Sequence, residues 1–189
     1  VTASDGDLSA TQAITVNVNN LNDNAPVFTS SASFSSDENQ TSIATVTASD
    51  ADDSLLSFSV SGSELLITDS GALSFASAPD YETKSSYTAT ITVSDGVASV
   101  TQNITVSINN LNDNAPVFTS SASFSAAENQ TAIGTVTATD ADGNSMSFSV
   151  SGSELSISAA GQLSFIAAPD YETKTTYTAT VTVSDGNLS

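Results

Sequence analysis

The chain is written almost twice over, with a period of ninety residues. Residues 21–99 align with 111–189 without a gap and with 58 of 79 positions identical, and residues 1–20 align with 91–110 with 12 of 20 identical. The sequence thus reads as the tail of one repeat (1–20), a complete repeat (21–110) and a third that lacks its last strand (111–189). Ninety residues are too many for a small solenoid unit and suit a self-contained β-sandwich.

The local pattern is that of strands. Within the complete repeat seven segments qualify: 27–35, 43–49, 56–61, 65–68, 72–75, 87–94 and 99–109. Apolar and polar residues alternate through Tyr87, Ala89, Ile91 and Val93, and again through Ile104, Val106 and Ile108, so one face of each strand is apolar. Asp69-Ser70-Gly71 is a turn signal between two of them. Helical periodicity is absent. The class is all-β, and the arrangement expected is a seven-stranded Greek-key, immunoglobulin-like sandwich repeated along a line. Phe28, Phe34, Phe58 and Phe75, with their counterparts Phe118, Phe124, Phe148 and Phe165, each sit in a strand pattern and are expected in the core.

Between repeats lies a polar run that ends in proline, Asn20-Leu21-Asn22-Asp23-Asn24-Ala25-Pro26, repeated at Asn110-Leu111-Asn112-Asp113-Asn114-Ala115-Pro116. Proline fixes its own φ and pushes the preceding residue into extended conformations, so the run reads as a taut connector. Seven strands running alternately down and up leave the termini at opposite ends. Strand parity then puts Glu38, Asp80 and Glu82 in loops at the bottom of the complete repeat, where the connector leaves. It puts Asp140, Asp142 and Asp185 in loops at the top of the next repeat, facing the same connector. With Asp113, seven carboxylates from five segments converge on one joint.

Charge decides what such a joint can hold. Two Lys/Arg stand against 21 Asp/Glu, for a net charge of −19, which excludes nucleic acid and anionic membrane as partners and suits cations. There is no His and no Cys, so the commonest transition-metal ligand and acid/base group is missing and thiolate chemistry has no ligand here. No apolar run approaches a membrane span and the first residues do not resemble a signal peptide, so the sequence reads as an interior piece of something larger. Loop preference of Asp and Asn explains loop location, but not why 15 of the 21 acids fall in joint-facing loops and connectors. Three Ca²⁺ ions would set six positive charges against seven negative ones. They need roughly 18–24 oxygen ligands, fewer where oxygens are shared, which carboxylates, Asn amides, carbonyls and water can supply; Mg²⁺, which demands octahedral geometry, fits worse.

These residues resemble a known family. Asn-x-Asn-Asp-Asn-Ala-Pro-x-Phe at the connector, Glu-Asn at 38–39, Asp-Ala-Asp at 50–52, Asp-Tyr-Glu at 80–82 and Val-x-Val-x-Asp-Gly at 181–186 are similar to the motifs of cadherin repeats. Glu38, Asp80, Glu82 and Asp113 look like ligands for the two Ca²⁺ nearer the complete repeat. Asn112, Asn114 through its carbonyl, Asp140, Asp142 and Asp185 look like the shell of a third, with Asp142 bridging two ions and Asn144 adding a carbonyl. Asn22, Asp23, Asn24, Asp50, Asp52 and Asp95 are the same set at the first connector, and Glu128, Asp170 and Glu172 at the last repeat, both joints being incomplete within this sequence. The family's connector usually opens with Asp, where this chain has Asn20 and Asn110, so the middle ion is expected to bind more weakly. The chain has no Trp, so adhesion by docking an N-terminal Trp does not carry over.

The function expected is a calcium-rigidified extracellular stalk or adhesion module, resembling repeats of large bacterial surface adhesins, whose partners are neighbouring repeats or further copies. One alternative is a filament subunit in which residues 10–19 of one copy supply the missing strand of the next, against a window cut from a longer array. Another is a carbohydrate-binding module, for which Tyr81 and Tyr171 are the aromatic candidates, although local packing suits them better. An enzyme is not expected, because Lys84 and Lys174 read as surface ion pairs. The sequons at Asn39, Asn103, Asn129 and Asn187 are assigned no function.

Overall fold

The structure, a computed structural model, describes residues 1–52 and 54–189, and among them all regular structure is strand. No helix among the described residues is long and apolar enough to cross a membrane. In chain order the strands are β1 (Thr2–Ser4), β2 (Ser9–Thr11), β3 (Val27–Phe28), β4 (Ser33–Asp37), β5 (Ser42–Thr45), β6 (Ala48–Ser49), β7 (Ser57–Val60), β8 (Leu65–Ile67), β9 (Ala72–Phe75), β10 (Ser86–Ser94) and β11 (Ser99–Asn109). The aligned repeat contributes β12 (Val117–Phe118), β13 (Ala132–Thr135), β14 (Ala138–Thr139), β15 (Ser147–Val150), β16 (Leu155–Ile157), β17 (Gln162–Phe165) and β18 (Val181–Ser184).

The residues gather into two compact units. The first is Val1–Phe34, Thr41–Ser77 and Tyr87–Val106. Here β5, β9 and β8 form one sheet, and β7 lies beside β10 in the other, whose order is β4-β11-β10-β7. The inward side chains are the ones alternation singles out. Ile91, Val93 and Val106 are fully buried, with Val46, Leu73 and Phe75 beside them, each worth about 1.5–3 kcal/mol of burial. The Asp69–Gly71 turn closes against this core: Gly71 has φ +85°, its carbonyl accepts from Val46 N at 2.8 Å, and a Cβ there would stand 2.1 Å from the Val46 carbonyl oxygen.

The second unit is Ser35–Gln40, Ala78–Ser86 and Ser107–Ser189. It holds β12 to β18 together with the loops around Glu38 and Asp80 and the whole second connector. Sheet β13-β17-β16 and the pair β15-β18 repeat the pattern of the first unit, with Phe148 opposite Val183 as Phe58 is opposite Val93. Val136, Leu163 and Val183 form its buried core.

Three expectations change. Segment 27–35 is two strands, because Thr29 N and Ser30 N both donate to the Thr47 carbonyl, at 2.9 and 3.2 Å, and this doubled contact breaks the ladder before β4 joins β11. Segment 43–49 likewise divides into β5 and β6. Third, Phe118 and Phe124 are 44% and 37% exposed rather than core. In the complete repeat β11 pairs with both β4 and β10, whereas the aligned residues 123–127 and 176–180 have no such neighbour and form no strand.

Candidate metal centre

Each connector is fastened to the Asp-Ala-Asp loop of the repeat it enters, which follows β6 in the first case and β14 in the second. Asp52 Oδ2 accepts from Asp23 N and Asn24 N at 2.9 and 2.7 Å, and Asp142 Oδ2 accepts from Asp113 N and Asn114 N at 3.1 and 2.9 Å. Asn20 Nδ2 donates to the Asp52 carbonyl at 2.8 Å, and Asn110 Nδ2 to the Asp142 carbonyl at 2.9 Å. Both connector-opening asparagines therefore spend the amide nitrogen on backbone. The Asn24 and Asn114 amides also repeat one another, donating to Asp52 Oδ1 and Asp142 Oδ1 at 3.0 and 2.9 Å.

The oxygens left over repeat as well. Asn112 Oδ1, Asp140 Oδ2 and Asp185 Oδ2 are buried without a hydrogen-bond partner, and so are Asn22 Oδ1, Asp50 Oδ2 and Asp95 Oδ2 at the aligned positions. A buried acceptor without a donor costs about 1–3 kcal/mol, more for a charge. At Asp95 and Asp185 protonation does not relieve it. Backbone N–H groups of Leu188 and Asn187 hold the Asp185 carboxyl below the usual range, and those of Ala98 and Val97 do the same for Asp95. The other oxygen of each is engaged: Asp185 Oδ1 accepts from Asn187 N and Leu188 N at 2.7 and 2.6 Å. Buried oxygens unmet by any donor suit a hard cation, and the donor set is all oxygen, as Ca²⁺ prefers.

A second group lies beside this one. Oxygens of Glu38, Glu82 and Asp113 lie within 4.8 Å of one another. Glu38 is 2% exposed, and its two oxygens accept from Tyr81 N and Leu111 N, both at 2.7 Å, so it ties the Asp-Tyr-Glu loop to the connector. Burial, with the charges of Glu38 and Asp142, pushes the Glu82 carboxyl up. Burial also pushes Asp142 up, but hydrogen bonds from the Asn114 side chain and backbone outweigh it, and the net shift is down. Asp80 stands outside the Glu38 set; Thr83 donates its hydroxyl to Asp80 Oδ2 at 2.9 Å and holds that carboxyl low. Glu128, Asp170 and Glu172 form an exposed group in the last repeat, in which Asp170 aligns with Asp80 rather than with Asp113, and Tyr171 N donates to Glu128 at 3.1 Å. Asn144 meets Asp140 through its backbone N–H, at 3.0 Å from Oδ1.

Some participants escape sequence reasoning. Asn39 donates its amide to Asp113 Oδ2, and Asn187 Nδ2 donates to the Asn112 carbonyl at 3.2 Å. The signal for the first is the repeated Glu-Asn pair. Asn39 and Asn129, at φ 64° and 62°, are the non-glycine residues with positive φ among those described, a conformation asparagine tolerates well. Tyr171 is 64% exposed rather than packed. Lys174 forms a surface ion pair with Glu154, at 2.5 Å, over the Tyr177 ring.

Residues 112–189 match a family described as bacterial Ig domain. Human cadherin-23 is 33% identical over 159 residues, 76% of this chain and 5% of that protein. Chitinase A of Pseudoalteromonas piscicida is 35% identical over 142 residues, 74% of this chain and 17% of that enzyme. The chain thus spans a small fraction of the curated relatives it matches. Among solved structures, human protocadherin-24 EC1-2 superposes with a TM-score of 0.70 at 24% identity, covering 85% of this chain and 93% of that one. The motifs, the paired-sheet units and these likenesses agree: the chain is built from cadherin-like domains, all-β sandwich modules.

Proposed function

We propose that the chain is a segment of an extracellular stalk or adhesion module whose joints are stiffened by Ca²⁺, carried on a bacterial cell surface. The repeats 21–110 and 111–189 are its folded modules, and 1–20 closes a preceding one. The observation that carries this reading is the recurrence, in two copies, of buried Asn and Asp oxygens with no donor. Asn112, Asp140 and Asp185 would hold one ion, with Asn114 and Asn144 beside them. Glu38, Asp80, Glu82 and Asp113 would hold the others, with Asp142 common to both groups. Bound calcium supplies positive charge that this chain, with two Lys/Arg, does not supply itself.

The chain's own residues do the rest. Carboxylates a few ångströms apart repel by about 1–4 kcal/mol per pair, depending on the local dielectric, and that repulsion favours opening of the loops that carry them. Each filled site stabilises the folded form by about 2.7 kcal/mol at a hundredfold excess over Kd. The module is non-catalytic in this reading: its carboxylates serve as ligands, and its partners are adjoining repeats. Scattering and calorimetric melting in calcium and in chelator test it. Calcium is expected to narrow the range of extensions and raise the melting temperature, while an equal concentration of Mg²⁺ does much less. An unchanged maximum dimension together with an unchanged melting temperature overturns the reading.

A further inference from the structure

One aspartate in each repeat is wrapped by the connector that enters it. Asp142 accepts four N–H groups, all from residues 110–114. Asn110 Nδ2 donates to its carbonyl at 2.9 Å and Asn114 Nδ2 to Oδ1 at 2.9 Å, while Asp113 N and Asn114 N donate to Oδ2 at 3.1 and 2.9 Å. Asp52 accepts the same four, from Asn20 Nδ2 at 2.8 Å, Asn24 Nδ2 at 3.0 Å, and Asp23 N and Asn24 N at 2.9 and 2.7 Å. The oxygens nearby are treated in the opposite way: Asp140 Oδ2 and Asp185 Oδ2, like Asp50 Oδ2 and Asp95 Oδ2, are buried and have no donor. Within one site, then, one aspartate is fully supplied by protein and its neighbours are not.

One of the four donors depends sharply on residue type. Backbone N–H groups come with any residue except proline. The contact of Asn110 is to a main-chain carbonyl, and only a donor can make it. A carboxylate at that position would set oxygen against oxygen, and the two could close only around a cation that both of them ligate. The amide does with an N–H what a carboxylate would need a metal ion to do.

We infer that Asn110 and Asn20 are positioning residues that fasten each connector to the Asp-Ala-Asp loop without metal, so that this contact is already closed in the calcium-free chain. Asn112 rides on the fastened connector and Asp140 on the loop that receives it, so their unmet oxygens are brought together before any ion arrives. Calcium binding there, which rests on the function proposed above, meets a preformed set and is spared the cost of ordering the connector.

Hydrogen exchange of the 189-residue chain tests this, read at the amides of Asp113 and Asn114, whose N–H groups donate to Asp142. The parent is expected to protect both equally in chelator and in calcium. Asn110→Asp is expected to lose roughly tenfold of that protection in chelator, since a hydrogen bond is replaced by an oxygen–oxygen contact, and to regain it in calcium. Asn110→Ala brings neither donor nor ligand and is expected to lose protection in both solutions. The amides of Asp23 and Asn24, held through the untouched Asn20, are expected to stay protected in both variants and so report that the fold is intact. An Asn110→Asp chain that loses protection in chelator and does not regain it in calcium supports the metal-free contact and counts against the calcium reading instead. Parent amides left unprotected in chelator, or protection in chelator that neither substitution lowers, overturn the inference.

Discussion

Replacing Asp185 by Asn removes one charge and keeps the shape. Oδ1 accepts from Asn187 N and Leu188 N, and an amide oxygen retains both contacts. Oδ2, buried and without a donor, becomes an NH₂ group. Without calcium two terms change. The two turn bonds lose their charge-assisted character, about 1 kcal/mol, while one buried unmet acceptor is exchanged for a buried NH₂ that needs an acceptor of its own, so the cost of about 1–3 kcal/mol for an unmet polar group largely carries over. In chelator the variant is therefore expected within about 2 kcal/mol of the parent. In calcium the site loses a charged ligand. If affinity falls a hundredfold, then at a calcium concentration a hundred times the parent Kd the stabilisation drops from about 2.7 to about 0.4 kcal/mol. For a chain of this length that difference is about 5–9 °C in melting temperature. Calorimetry with and without calcium, alongside a titration of stoichiometry, measures it. A calcium-dependent rise as large in the variant as in the parent refutes the assignment of Asp185 as a ligand.

Asp142→Ala is expected to weaken more than one ion, since Asp142 stands between both groups; a titration in which a single ion is lost and the others are untouched refutes that role. Calcium affinity is expected to fall as pH drops through the raised pKa of Glu82, above the ordinary glutamate range, and Glu82→Gln is expected to flatten that dependence. In chelator, Glu82 binds its proton more tightly folded than unfolded, so its contribution is present below the unfolded pKa and is lost as pH rises through the folded one. Asp95 and Asp185, shifted down, contribute above their unfolded pKa and lose that contribution as pH falls; urea melts across pH resolve the two signs. Gly71→Ala is expected to destabilise by more than about 1 kcal/mol in urea melts, because the backbone is left-handed and the new Cβ meets the Val46 carbonyl.

The long alternating segments were legible to within a residue: 87–94 and 99–109 are β10 and β11. Their periodicity is a property of the strand itself. Burial is not. The text FTSSASFS stands at 28–35 and again at 118–125, yet Phe28 is half-buried and Phe118 exposed, and 33–37 is a strand where 123–127 is not. Identical windows reach different outcomes because the neighbour that completes the ladder lies some seventy residues away. The break after Phe28 was hidden for a related reason: one carbonyl accepting two N–H groups leaves alternation unchanged. At the site, the residue types were legible from composition and loop parity. The amide orientations were not, and they separate Asn110, whose Nδ2 is spent on a backbone carbonyl, from Asn112, whose Oδ1 is unmet.

The two connectors act as controls for each other. Residues 1–20 carry no Glu and no Asp-x-Glu, yet Asn22, Asp50 and Asp95 show the same unmet oxygens as Asn112, Asp140 and Asp185. That triad is therefore a property of a connector and the loops of the repeat it enters, and it needs nothing from the repeat before. The Glu38, Glu82 and Asp113 set is different, because two of its members come from loops of the repeat that the connector leaves. Glu128 and Glu172 make the contrast plain: they gather with Asp170 rather than with a connector aspartate, and all three are exposed, whereas Glu38 is buried and accepts from the connector's Leu111 N–H. The proposed calcium binding would then have two classes of site, one local to a repeat and one that needs loops of two repeats. In that proposal only the second couples ion binding to the joint, so it is the class on which stiffness would depend.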